Sequence, residues 1–236
     1  MTSSQTPIAT FDCYRTLIDF DLNRATLPIV QDRLDEIGID HSEFLDNLRV
    51  MRFQGVAQGP YRRYQDIVRD TLECCMLFHG AQYEPEFGEE LVEASKEFPV
   101  YPEVPEALRQ LKTMGIELAI ISNSDRDLIP HHVKTIGVEF DYVITAEDAG
   151  WYKPRPGAFE YLLETIDRDD PKLITHVAQG WEYDIMPAKR YGVNRVWVNR
   201  FGLKGSKAYQ PYREISDLSA LPTVLKDQLS AQSVQS

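Results

Sequence analysis

The sequence predicts an α/β chain: a parallel sheet flanked by helices, with a helical segment inserted after the first strand. Three observations carry this. Five short apolar runs have the length of buried strands. Helix-like stretches lie between the later runs, several of them closed by glycine. The region 21–98 breaks the alternation, because it shows helical patterns and turn signals only.

Ile8-Ala-Thr-Phe11 is the first run and ends at Asp12. Three or four helices are then expected, over 25–37, 42–58, 63–80 and 86–97, with Gly59-Pro60 and Tyr83-Glu-Pro85 as turns between them. Pro99, Pro102 and Pro105 mark the return to strand–helix alternation. A helix over 104–114 stops at Gly115 and leads into Glu117-Leu-Ala-Ile-Ile121. A helix over 128–136 stops at Gly137 and precedes Tyr142-Val-Ile144. A helix over 158–166 precedes Ile174-Thr-His-Val177, and one over 185–191, closed by Gly192, precedes Arg195-Val-Trp-Val198. Strand alternating with helix is the pattern of a parallel sheet covered on both faces. The expected division is a core of residues 1–20 and 99–236 and a helical insert of residues 21–98. The tail 230–236 is polar and expected to fray.

Composition narrows the function. Apolar residues at 43% and charged residues at 26% describe an ordinary globular chain. No apolar run approaches the roughly 20 residues of a membrane span, and residues 1–7 lack the basic and apolar regions of a secretory signal. A cytoplasmic protein with no membrane partner is expected. The three cysteines, Cys13, Cys74 and Cys75, form neither a disulfide framework nor zinc-ligand spacing, and Cys13 is expected to be a buried thiol. A net charge of −12 without a basic patch argues against nucleic acid. A small anionic substrate would then need local cations, for which Arg15, Lys153 and the arginines between Arg49 and Arg63 are available. A homodimer is left open.

Ligands of an open parallel sheet bind beyond the carboxyl ends of its strands. Those ends carry Asp12-Cys-Tyr-Arg-Thr16, Ser122-Asn-Ser124, Tyr152-Lys-Pro154 and Gln179-Gly-Trp-Glu-Tyr-Asp184. Together they place two carboxylates, an ammonium, a hydroxyl and an amide on one rim. Such a set can perform nucleophilic substitution. One carboxylate attacks and forms an ester, and a neighbouring cation keeps carboxylates ionised. The second acid positions or activates water, while hydroxyl and amide donors hold an anion. The five histidines show no metal or triad spacing and receive no role.

Phe11-Asp-Cys-Tyr-Arg-Thr-Leu17 resembles the first motif of the haloacid dehalogenase superfamily, and Ile121-Ser-Asn123 resembles its second. Lys153-Pro154 is similar to the third, and Asp184 to the acid of the fourth. The spacing of 31 residues from Ser122 to Lys153, and 31 more to Asp184, fits the same order. The resemblance covers about residues 8 to 200. It implies a Rossmann-like core with a helical cap after the first strand, with Asp12, Lys153 and Asp184 as catalytic residues.

Phosphatases of the superfamily carry a general acid two residues after the nucleophile, where this chain has Tyr14. They also carry an acidic metal ligand five residues before the last motif acid, where this chain has Gln179. Both departures resemble the 2-haloacid dehalogenase branch. That branch implies halide displacement by Asp12, hydrolysis of the Asp ester to a 2-hydroxy acid of inverted configuration, and neither metal nor cofactor. Tyr14, Arg15, Ser122, Asn123, Arg49 and Arg52 are the expected substrate-binding residues, the last two as candidates for holding the leaving halide. Arg15 stands where typical dehalogenases have glycine, and Phe159 where they often have an aromatic hydroxyl.

Other readings remain open at this point. They are a magnesium-dependent phosphatase of the same superfamily, a hydrolase of another small carboxylic acid using the same Asp ester, and a non-catalytic homologue. Taken singly, Asp12, Ser122, Asn123 and Asp184 could each be helix caps, Lys153 a solvated loop lysine, and Arg15 a surface side chain.

Overall fold

The structure, a computed structural model, describes residues 4–233. The start of the polar N-terminal segment and residues 234–236 of the polar tail lie outside the described residues. The sheet is built from β1 (Ile8–Phe11), β2 (Glu117–Ser122), β3 (Tyr142–Thr145), β4 (Ile174–Ala178), β5 (Asn194–Val198) and β6 (Arg213–Ile215). The strands lie in the order β3-β2-β1-β4-β5-β6, and every described pairing is parallel. This is the doubly wound order, whose direction of winding reverses beside the central strand and opens a crevice there. β1 sits at that reversal, with Ile8 opposite Glu117 on one side and opposite Ile174 on the other.

Successive strand residues point to opposite faces, and the core divides accordingly. Ala9, Phe11, Leu118 and Ile120 join the larger apolar cluster. Ile8, Ala119, Ile121 and Ile174 join a second cluster with Ala158, Phe159 and Leu162. The latter three lie on α8 (Pro156–Ile166), which covers that face. Burial on both sides explains why the strands read as apolar runs rather than as alternating ones.

Between β1 and β2 come α1 (Leu22–Glu36), α2 (His41–Ala57), α3 (Tyr64–Phe78), α4 (Pro85–Ser95) and α5 (Val104–Thr113). The first four pack on one another through Val30, Leu34, Phe44, Leu48, Leu72, Cys75, Met76 and Leu91, all buried. The chain leaves the sheet and returns to it side by side. Ile18 bridges Val100 antiparallel, Asp19 N–H donates to Pro99 O at 2.8 Å, and Tyr101 N–H donates to Leu17 O at 3.0 Å. The remaining helices are α6 (Ile129–Ile136), the short α7 (Ala146–Ala149) and α9 (Met186–Ala188), and α10 (Leu221–Ser233).

Several elements depart from the sequence expectation, the short α7 among them. β6 adds a sixth strand, and α10 occupies the end of the described chain, so residues 230–233 continue a helix instead of fraying. Leu221 and Leu225 anchor α10 by burial in the main core. The segment expected as a helix over 185–191 begins earlier, with a wide π-type turn at Trp181–Ile185 that carries Asp184.

Candidate active site

Asp12 follows β1 directly, and its position is fixed by the central strand. Its Oδ2 accepts the Thr16 hydroxyl at 2.7 Å, and its Oδ1 accepts the Lys153 ammonium at 2.9 Å. Lys153 is 1% exposed, which is rare for lysine and requires partners. The same ammonium donates to Asp184 Oδ1 at 2.7 Å and to the Ile121 carbonyl at 2.9 Å, so all three of its hydrogens have acceptors. Asn123 fixes the lysine backbone: its Nδ2 donates to Lys153 O at 2.9 Å, and Lys153 N–H donates to its Oδ1 at 2.8 Å.

Asp12 and Asp184 bond the buried ammonium instead of capping helices. Lys153 is not a solvated loop lysine. Ser122 ends β2, and its buried Oγ lacks a hydrogen-bond partner. Asn123 spends its amide on Lys153.

The electrostatics differ between the two carboxylates. At Asp12, burial together with the nearby Asp184 charge outweighs Lys153 and Thr16, and holds the carboxyl above its ordinary range. At Asp184, burial acts in the same direction but is overcome by Lys153 and His176, and the carboxyl is held below its ordinary range. Lys153 lowers the pKa of both carboxyls, but at Asp12 burial and the Asp184 charge outweigh it. One ammonium shared by two buried carboxylates favours ionisation of one more than of the other. Burial alone would lower Lys153, but its two carboxylate neighbours raise it, so it remains a cation.

A cavity of about 600 Å³ opens over these groups, lined among others by Asp12, Tyr14, Arg15, Asn123, Lys153 and Asp184. Tyr14 stacks on Phe20 with ring centres 3.9 Å apart, and its hydroxyl lies 2.6 Å from Ser124 Oγ. Burial pushes this phenol far up, so Tyr14 forms a neutral wall beside Asp12. Arg15 is exposed at the rim, its guanidinium 4.5 Å from the Phe201 ring centre. Its φ of +64° is a left-handed backbone that glycine adopts freely and other residues adopt rarely.

The helices from the insert supply the opposite wall, including Phe53, Val56 and Tyr64. The two arginines expected there separate. Arg52 donates Nη2 to Asn23 Oδ1 and leaves Nη1 buried without a partner. Arg49 lines the same cavity, but it is exposed and lies 3.8 Å from Asp46. Gln179 lines the cavity as well, and its backbone N–H donates to Thr16 Oγ1 at 2.9 Å. Cys13 is buried as expected, and burial with the adjacent Asp12 pushes its thiol up.

Two site residues were missed by the sequence reading. Thr16 stood inside the quoted motif, four residues after Asp12, the spacing at which one turn brings a hydroxyl back to a carboxylate. His176, for which the sequence predicts no role, lies against Asp184. Its Nε2 lies 3.0 Å from Asp184 Oδ1, and its Nδ1 lies 2.9 Å from Thr10 Oγ1. Among the described residues, no group of three or more His, Cys, Asp or Glu side chains could hold a metal ion, and no helix is long and apolar enough to cross a membrane.

A doubly wound sheet thus brings two carboxylates and a buried lysine together beyond the carboxyl ends of its strands. A family model for haloacid dehalogenase-like hydrolases matches residues 8–192, and the chain belongs to that family. Haloacetate dehalogenase H-2 of Moraxella sp. (strain B) is 36% identical over 104 residues, which is 43% of this chain and 46% of that one. That match thus spans less than half of its length. (S)-2-haloacid dehalogenase 4A of Burkholderia cepacia is 24% identical over 219 residues, covering 89% of this chain and 91% of that one. Among solved structures, the L-2-haloacid dehalogenase of Xanthobacter autotrophicus with chloropropionic acid covalently bound superposes with a TM-score of 0.73. It shares 17% identity and covers 94% of this chain and 99% of that one. At that identity the likeness is one of fold.

Proposed function

We propose that this hydrolase is a 2-haloacid dehalogenase working through an ester on Asp12. The supporting observation is the Asp12–Lys153–Asp184 cluster, with neutral side chains at both positions where phosphate chemistry would need acids. Tyr14 cannot serve readily as a proton donor, because its phenol is pushed far up and already bonded to Ser124. A halide leaving group needs no proton. Gln179 adds no charge to attract a dication.

In this reading Asp12 Oδ attacks C2 of the substrate and halide departs with the bonding electrons. Ser122 Oγ, unpartnered and buried, and the Asn123 region receive the substrate carboxylate. The partnerless Nη1 of Arg52 makes it the stronger candidate for holding the halide, with Arg49 as an outer cation. Water, positioned by Asp184, then attacks the Asp12 carbonyl. Residues 21–98 act as a cap over residues 1–20 and 99–236 and keep bulk water from the nucleophile, which strengthens the local electrostatics. The names of the relatives, haloacetate dehalogenase and (S)-2-haloacid dehalogenase, agree with this substrate class.

The test is halide release from each enantiomer of 2-chloropropionate beside phosphate release from p-nitrophenyl phosphate, with and without chelator. Halide release that survives chelation is expected, with oxygen-18 from water entering Asp12 in a single turnover. Phosphate release that requires magnesium, without halide release, would replace this reading by a phosphatase.

A further inference from the structure

We propose that His176 is a positioning residue for the second half of the reaction, in which water releases the product from Asp12. The inference rests on the ester reading above. Thr10 and His176 are register partners on β1 and β4. Each lies two residues along its strand from Ile8 or Ile174, so both side chains point to the face covered by α8. His176 is 1% exposed, and Phe159 of α8 packs edge-on against its ring with centres 5.6 Å apart. This imidazole cannot touch the substrate, because Asp184 lies between it and Lys153.

Its partners decide its tautomer. Asp184, held below the usual carboxylate range by Lys153 and His176 against its burial, offers only acceptors. Nε2 must therefore carry the hydrogen and donate to Asp184 Oδ1 across 3.0 Å. Nδ1 lies 2.9 Å from Thr10 Oγ1, a hydroxyl that can both donate and accept. Thr10 thus holds the far edge of the ring, and Nε2 faces Asp184 as the donor.

Lys153 donates to the same Oδ1 at 2.7 Å. Two donors converging on one oxygen orient the carboxylate plane and leave Oδ2 as the working base. In the hydrolytic step the water oxygen bonds to the Asp12 ester carbon, and one water proton passes to Asp184 Oδ2. The bond from that carbon to the product oxygen then breaks, the product oxygen keeps the electron pair, and it takes the proton back from Asp184. Asp12 loses the second water proton to solvent and returns to carboxylate. His176 gains and loses no proton in this cycle. Ester formation uses Asp12 alone and does not draw on Asp184 as a base.

The two half-reactions should therefore respond differently to loss of the ring. With (S)-2-chloropropionate, His176→Phe should give one equivalent of halide at the wild-type rate, then a steady state slower by roughly 10- to 100-fold, the usual effect of losing a hydrogen bond to a charged group. Mass spectrometry should find the ester on Asp12. His176→Gln, which keeps an N–H donor, should restore most of the turnover. Thr10→Val, nearly isosteric, should slow the same step by less. In wild-type protein, nitrogen-15 spectra of labelled histidine should show a hydrogen on Nε2 of His176. An Nδ1–H tautomer, or equal slowing of the burst and the steady state, would overturn the role. Wild-type turnover with no burst in either His176→Phe or Thr10→Val would overturn the role alone. Wild-type protein that releases no halide from any 2-haloacid would overturn the dehalogenase reading together with it.

Discussion

Asp125, in the loop after β2, closes the N-terminus of α3 at Tyr64, whose backbone N–H it accepts at 2.8 Å. The same carboxylate accepts Gln65 N–H at 2.9 Å and the Tyr61 hydroxyl at 3.1 Å. Residue Arg63, at the cap position of α3 itself, makes no such bond with its side chain. A helix start with unpaired N–H groups is thus completed by a carboxylate from a distant segment. Arg63 pairs with Asp127, and Arg155 donates to Ala57 O at 2.8 Å and Gly59 O at 2.6 Å along the same seam.

Asp125→Ala should therefore lower stability by about 1–3 kcal/mol, the effect of leaving buried donors unpaired. Denaturant unfolding measures the loss. Amide exchange should accelerate at Tyr64 and Gln65 while β1 and β2 stay protected. Unchanged exchange at those two amides would show that the seam does not depend on Asp125.

Removing the buried ammonium should be worse for folding than its single charge suggests. Lys153→Met leaves Asp12 and Asp184 buried, facing each other without a cation, and breaking such a pair typically destabilises by about 3–5 kcal/mol. Both carboxyl pKa values then rise above their unfolded values, so the folded state binds more protons. Stability of the variant should fall as pH rises. Unfolding midpoints closer to wild type at pH 8 than at pH 5 would contradict this. Turnover should be lost at both.

The raised Asp12 carboxyl has a kinetic signature. Ester formation needs the ionised form, so its acid limb should lie above the ordinary aspartate value of 3.8. Asp184→Asn removes a like charge and leaves Lys153 to Asp12, and both effects lower the Asp12 pKa. The acid limb of single-turnover halide release should shift to lower pH in that variant. An unmoved limb would mean that another group controls it.

The two cavity arginines should separate by kinetics. Arg52→Met removes the half-buried guanidinium with the partnerless nitrogen and should lower kcat/KM by roughly 10- to 100-fold, the range for a charged hydrogen bond. Arg49→Met touches an exposed pair, whose contribution is typically about 0–1 kcal/mol, and should change kcat/KM by less than about fivefold. The reverse ranking would move the leaving-group role to Arg49.

Gly180 guards the orientation of Asp184. A Cβ at that position would lie 2.4 Å from Asp184 Oδ2. Gly180→Ala should leave the fold intact, slow hydrolysis of the ester and spare its formation, which a halide burst would reveal. Wild-type steady-state turnover in this variant would show that the carboxylate tolerates displacement.

Much of the site was legible because its residues follow strands directly. Asp12, Ser122 and Asn123 stand at the ends of apolar runs, and Lys153 and Asp184 follow at motif spacing, so local sequence sufficed. His176 was invisible for the converse reason. It sits inside an apolar run, and its meaning depends on which strand lies beside β4 and on where the Trp181–Ile185 turn returns Asp184. The ranking of Arg52 over Arg49 likewise depends on how α2 is rotated against Asn23, which helical spacing leaves undecided. β6 offered no apolar run, since Arg213 and Glu214 are exposed and only Ile215 is buried. α10 did leave a signal. Leu221, Leu225 and Leu229 recur every fourth residue, but the polar residues around them read as tail.

The position of β1 also bears on how the molecule assembles. β1 is synthesised first, yet its two neighbours in the sheet, β2 and β4, come from far along the chain. On a ribosome the strand leading to Asp12 emerges long before it has anything to pair with. The four helices of residues 22–95 make mostly local contacts and can gather first, whereas contacts between distant segments close late and slowly. Asp12 thus acquires Lys153 only after the 141 residues of separation between them have been made, and a chain arrested earlier would carry Asp12 without its cation.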